Sequence, residues 1–165
     1  MGPLPLTVVS DLFRPTDRLS GREGSHLMDS EHAPRVHLTI PASARYLRLA
    51  RLTAAGLAGD LGYPVDAIED LRIAVDELCA AVIEGVPGAA SLELVYQEVG
   101  GNLVVEGRCL GGHASAPDLH GVARELLDML ADEYRLDTVD GARTFRLVKY
   151  ATGQDRPGPA AGAPG

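Results

Sequence analysis

What most limits the folding of this chain is the way its apolar residues change period between Val36 and Val148. Val36, Leu38 and Ile40 alternate with His37 and Thr39, which predicts a strand with one buried face, ended by Pro41. Ser43 is placed to cap a helix whose stripe is Tyr46, Leu47, Ala50, Ala54, Leu57 and Leu61, with Gly62 as its stop. Pro64 suits the first turn of a second helix, and Ile68, Leu71, Val75, Leu78 and Val82 recur along it at steps of three and four. Residues 85–88, with Pro87 among them, end it. Leu92, Leu94 and Tyr96 then alternate with Glu93 and Val95. Gly100-Gly101-Asn102 is a hairpin signal, and residues 103–109 form the returning strand. Ser115 and Pro117 mark the start of a third helix with the stripe Leu119, Val122, Leu126, Met129 and Leu130. Segments 134–139 and 142–148 bracket Asp140-Gly141, a second hairpin signal.

The order is strand, helix, helix, strand, strand, helix, strand, strand. Most strands are joined as hairpins, so the sheet is expected to be mixed and mostly antiparallel rather than doubly wound. With three helices on one face, the fold class is α/β, a two-layer sandwich. The folded unit is expected over residues 35–150. Residues 1–34, broken by Pro3, Pro5, Pro15, Gly21 and Gly24, are expected to be a disordered tail or a mis-started leader, with Met28 as an alternative start. Residues 151–165, rich in Ala, Gly and Pro, are expected to be a disordered tail.

Composition narrows the function. The net charge is −8, and −6 of it falls in residues 35–150, which argues against nucleic acid as the main partner. No apolar run is long enough to span a membrane and no secretory signal is visible, so a cytoplasmic protein is expected. Two cysteines give no disulfide framework. Cys79 and Cys109 read as small buried hydrophobes, and His113 and His120 lack metal spacing. There is no tryptophan to line a sugar or base site, and no Walker-type glycine-lysine loop to cradle phosphate. Arginine outnumbers lysine fourteen to one, a bias compatible with a GC-rich bacterial genome.

The second helix carries the candidate chemistry. Ile73, Glu77, Ala81 and Glu84 lie at steps of four, four and three on one face beside the core stripe. Glu77 there could act as a general base or hold a metal-bound water, or be part of a solvated acidic flank. On the first helix Arg45, Arg48 and Arg51 recur every three residues. They form either a docking stripe for an acidic partner or a solvated face paired with nearby carboxylates.

The run 68–79, Ile-Glu-Asp-Leu-Arg-Ile-Ala-Val-Asp-Glu-Leu-Cys, resembles the start of the N-box helix of anti-sigma regulatory factors. These are serine/threonine kinases with a histidine-kinase-like ATPase domain of the Bergerat type. Segments 38–43 and 141–149 resemble that family's first and last strands. The resemblance implies ATP and Mg²⁺ as cofactors and a sigma factor or its antagonist as partner. It also implies phosphorylation of an antagonist serine, with homodimerisation left open. Glu77 matches the N-box glutamate. The nucleotide-contacting positions fall on Ala81, Glu84, Gly111, Gly112, Gly121 and Thr144. Ala81 stands where the family's magnesium-binding Asn would be, no Asp-x-Gly follows residues 103–109, and of the later glycine-rich motif only Gly121 is present. Two functions follow: an ATP-dependent serine kinase, or a nucleotide-independent binding module on the same scaffold.

Overall fold

A computed structural model of the chain describes residues 34–112 and 116–151. Both expected tails, Met28, His113 and Ser115 lie outside the described residues, apart from Pro34 and Ala151. The elements are β1 (Arg35–Pro41), α1 (Leu47–Asp60), α2 (Val65–Ile83), β2 (Ser91–Val99), β3 (Asn102–Leu110), α3 (Gly121–Leu130), β4 (Glu133–Val139) and β5 (Ala142–Lys149). The strands lie in the order β1-β2-β3-β5-β4, and every pairing is antiparallel. The α/β sandwich expected from the hairpin signals is therefore present, with the helices against the face that carries Leu94, Val105 and Phe145.

Turn chemistry sets the two hairpins. Gly100 and Gly101 have φ of 59° and 85°, and Asp140 and Gly141 have φ of 51° and 75°. Two successive positive φ values match the right-handed twist of the flanking strands. Across the sheet, Leu38, Leu94, Gly107, Phe145 and Leu136 stand in one row facing the helices. Gly107 has no side chain because the Phe145 ring lies over its backbone.

In α1 the buried face is Leu47, Ala50, Ala54 and Ala58. Three alanines at steps of four let this helix sit close against α2. The α2 face is Leu71, Ala74, Val75, Leu78, Cys79, Ala81 and Val82. Leu71 and Leu78 are wholly buried, each contributing about 1.5–3 kcal/mol. Two tyrosines anchor the layers. Tyr96 Oη donates to the Ala50 carbonyl at 3.0 Å. Tyr63 Oη donates to the Lys149 carbonyl at 2.8 Å and accepts from Leu103 N–H at 3.0 Å.

Four sequence expectations are corrected. Ser43 precedes a 3-10 turn, Ala44–Tyr46, and makes no side-chain capping bond. Val36 is 38% exposed, near the start of the edge strand β1. The third helix begins at Gly121, with extended His120 as its cap residue, so Leu119 is a buried anchor ahead of the helix. Val122 and Met129 point to solvent at 71% and 72% exposure, since α3 buries only Leu127 fully, with Ala123, Leu126 and Leu130 half-buried. Cys79 is buried as expected, on the α2 flank opposite Glu77, toward Arg51 and Asp76. A step of two residues turns a helix by about 200°, which places the two on different sides.

Candidate functional site

The flank of α2 that turns toward α3 and β5 holds three carboxylates at heptad spacing: Asp70, Glu77 and Glu84. The outer two are engaged. Asp70 Oδ2 is 3.6 Å from Lys149 Nζ, which donates to the Leu130 carbonyl at 2.9 Å and lies 3.9 Å from Asp132. Lys149 thus ties α2 to the end of α3. Glu84 Oε1 is 3.4 Å from His120 Nε2, ahead of α3. Between them Glu77 is half-buried, with no hydrogen bond or ion pair to any described residue. It has the placement of a carboxylate at a seam between elements.

The neighbours of Glu77 on this flank are less suited to phosphate. Ala81 is buried, so its methyl forms part of the core rather than of a ligand set. Ile73 is 40% exposed and falls away from the seam. At the C-terminal end of α2, Arg143 Nη1 donates to the Glu84 carbonyl at 2.5 Å, a favourable place for a cation at a helix end. Gly111 and Gly112 finish β3 against the loop after α2. Gly111 has φ of 86°, and a Cβ on Gly112 would stand 2.9 Å from Val86 Cγ1. These glycines are therefore packed turn residues. Gly121, the first residue of α3, reaches the same end of α2 through its neighbour His120.

Thr144 is not brought to this site. Arg143 and Phe145 face the helices, so alternation puts Thr144 on the opposite sheet face, in a row with Glu93, Arg108 and Asp137. The basic stripe is also divided. Arg45 lies over the Tyr46 ring at 4.9 Å, and Arg48 is exposed. Arg51 is held 2.7 Å from Asp76 on α2.

The structure adds residues that the sequence reading passed over. Arg143, Val86, Cys109 and Gly112 bound a crevice with no room even for a water molecule. A larger cleft of about 590 Å³ is lined by Asp128, Ala131, Asp132, Glu133 and Tyr134, and includes none of the expected site residues. Ligand pockets usually enclose about 300–1,000 Å³. The crevice is too small for a nucleotide, and the three carboxylates of the larger cleft would repel a triphosphate. Among the described residues no group of three or more His, Cys, Asp or Glu side chains is placed to hold a metal ion. Among the described residues, the buried Ala81 and the packed Gly111 and Gly112 do not fit Mg²⁺-ATP.

No protein-family model matches the chain. In backbone geometry, the five-stranded sheet and its helices are similar to part of a solved two-domain structure. The crystal structure of the RsbU and RsbW domains of Rv1364c from Mycobacterium tuberculosis superposes with a TM-score of 0.52 at 18% identity, covering 70% of this chain and 32% of that one. In sequence, the chain is similar to the serine-protein kinase RsbW of Bacillus thuringiensis strain Al Hakam, at 39% identity over 54 residues. The RsbW proteins of Bacillus cereus strain B4264 and Bacillus anthracis strain A0248 match equally. Each match covers 33% of this chain and 34% of the relative, so the chain spans about a third of the length of the curated relatives it matches. The resemblance to the anti-sigma serine kinases, first visible in residues 68–79, is thus present in both sequence and fold. No described helix is long and apolar enough to cross a membrane.

Proposed function

We propose that this chain is an anti-sigma regulatory factor of bacterial partner switching, acting in the cytoplasm through residues 35–150. It binds a sigma factor, an antagonist of the anti-sigma factor, or each in turn. The observation that carries this reading is the 39% identity to serine-protein kinase RsbW over 54 residues. Arg45 and Arg48, which lie outside the core on the first helical segment, supply the docking charge for an acidic partner surface. Arg51 has a structural share through Asp76. A pairwise two-hybrid array of the full chain against each alternative sigma factor and antagonist of the source organism tests the reading. A specific pair that survives purification supports it, and an array without any pair removes it.

Within this reading the chain either phosphorylates an antagonist serine or binds without chemistry. Glu77 supports the kinase version, as a half-buried carboxylate that no described residue engages and that could accept a proton from a serine hydroxyl. The buried Ala81 favours the nucleotide-independent version. Incubating the chain with the antagonist and labelled ATP separates the two. Label on the antagonist that is lost in Glu77→Gln supports the kinase.

A further inference from the structure

The end of α2 is joined to two strands that lie far from it in sequence. Arg143 on β5 reaches the carbonyl of Glu84, 59 residues earlier. The end of β3 closes on the loop after α2 through Gly112 against Val86, and through Gly111, where a Cβ would be 3.3 Å from Ala90 Cα. Ala90 in turn donates to the Pro87 carbonyl and accepts from Ala42 N–H, which fixes that loop to the start of the chain's first helical turn. Cys109, 2% exposed, floors the crevice, and Ala81 on α2 is buried in the core. The flank above it carries the carboxylates Asp70, Glu77 and Glu84.

We propose that this seam is a closed latch: Arg143, Gly112 and Val86 hold α2, β3 and β5 together where a nucleotide would otherwise have to part them. The guanidinium on the Glu84 carbonyl sets the end of α2 without any ligand. Space and donor chemistry both disfavour a nucleotide there. The consequence for binding rests on the anti-sigma reading above: the chain engages its protein partner equally well with and without ATP.

The full chain is melted with and without millimolar ATP or ADP and Mg²⁺, and titrated with the same nucleotides by calorimetry. The latch predicts an unchanged melting temperature and no saturable heat. Saturable Mg²⁺-dependent binding tighter than about 1 mM, which would raise the melting temperature by mass action, overturns it. Hydrogen exchange on Arg143→Ala, or on Arg143→Lys if the first variant does not fold, gives the second readout. Amides of residues 84–90 should exchange at least about tenfold faster than in the parent while the β2–β3 ladder is unchanged. Unaltered exchange at 84–90 overturns the role of Arg143. If the chain binds neither a sigma factor nor an antagonist, the anti-sigma reading fails while the nucleotide result still decides the latch.

Discussion

The Phe145 ring occupies the space above Gly107, where a Cβ would lie 2.1 Å from Phe145 Cε1. The two residues are cross-strand partners at the centre of the sheet, between Leu94 and Leu136. Because the ring is buried, it has nowhere to move. Gly107→Ala should therefore cost about 3 kcal/mol, near the upper end of overpacking losses. Urea unfolding of that variant, and of Gly107→Ala with Phe145→Leu, measures it. The double variant should recover part of the loss, and equal stability of the single variant and the parent would refute the packing account.

Tyr63 offers a test of the polar interior. Its hydroxyl serves the Leu103 N–H and the Lys149 carbonyl together. Tyr63→Phe leaves that buried N–H without its partner, a loss of about 1–3 kcal/mol. The expected signature is a lower urea midpoint with an unchanged slope.

Alkaline pH should loosen the fold in a predictable direction. Burial raises the Cys79 thiol above its ordinary 9.0 and the phenols of Tyr63 and Tyr96 above their ordinary 10.0. In the unfolded chain these groups ionise near the ordinary values, so it loses protons first as pH rises. Their contribution to stability is whole below about pH 9 and declines above it toward the raised folded values. Urea midpoints measured from pH 7 to pH 10.5 should be flat and then fall. Cys79→Ala should lessen the fall between pH 9 and 10. In the native state, Cys79 and Cys109, both buried, should resist a thiol reagent that labels them readily in urea.

The arginines of the first helical segment should separate into two kinds. Reversing Arg45 and Arg48 to Glu should slow association with an acidic partner by about tenfold or more at low salt, with little change in melting temperature. Arg51→Glu instead places like charges beside Asp76 and should lower stability, by under about 1 kcal/mol for the lost pair itself. Stopped-flow association and thermal melts on the same variants distinguish the two effects.

Much of this architecture is legible in the sequence because it is local. Gly100-Gly101 and Asp140-Gly141 specify their hairpins by backbone geometry alone, and the α2 stripe from Ile68 to Val82 follows from spacing. The third helix reads less well. Its apolar residues outnumber the positions that its shallow seating on α2 can bury, so periodicity cannot tell Leu127 from Met129. The seam around Arg143 leaves no periodic trace, since its partner Glu84 lies on another element. Thr144 shows the same limit: the run 141–149 resembles a family strand, but only the register shows that Thr144 faces away from the helices. Gly107 carried a signal that could have been used, as a lone glycine inside an apolar strand often marks close approach of a neighbour.

The burial of Tyr63 and Tyr96 has a practical consequence. With no tryptophan and two phenylalanines, the chain's near-ultraviolet signal is essentially that of its five tyrosines. Two of those five sit in the interior, one joining α1 to the sheet and one at the turn between the helices. The molecule thus carries its own optical gauge of tertiary order, readable without labels. A partner docking on the outer arginines should disturb only Tyr46, beneath Arg45, whereas any ligand that pried the layers apart would move the signals of Tyr63 and Tyr96.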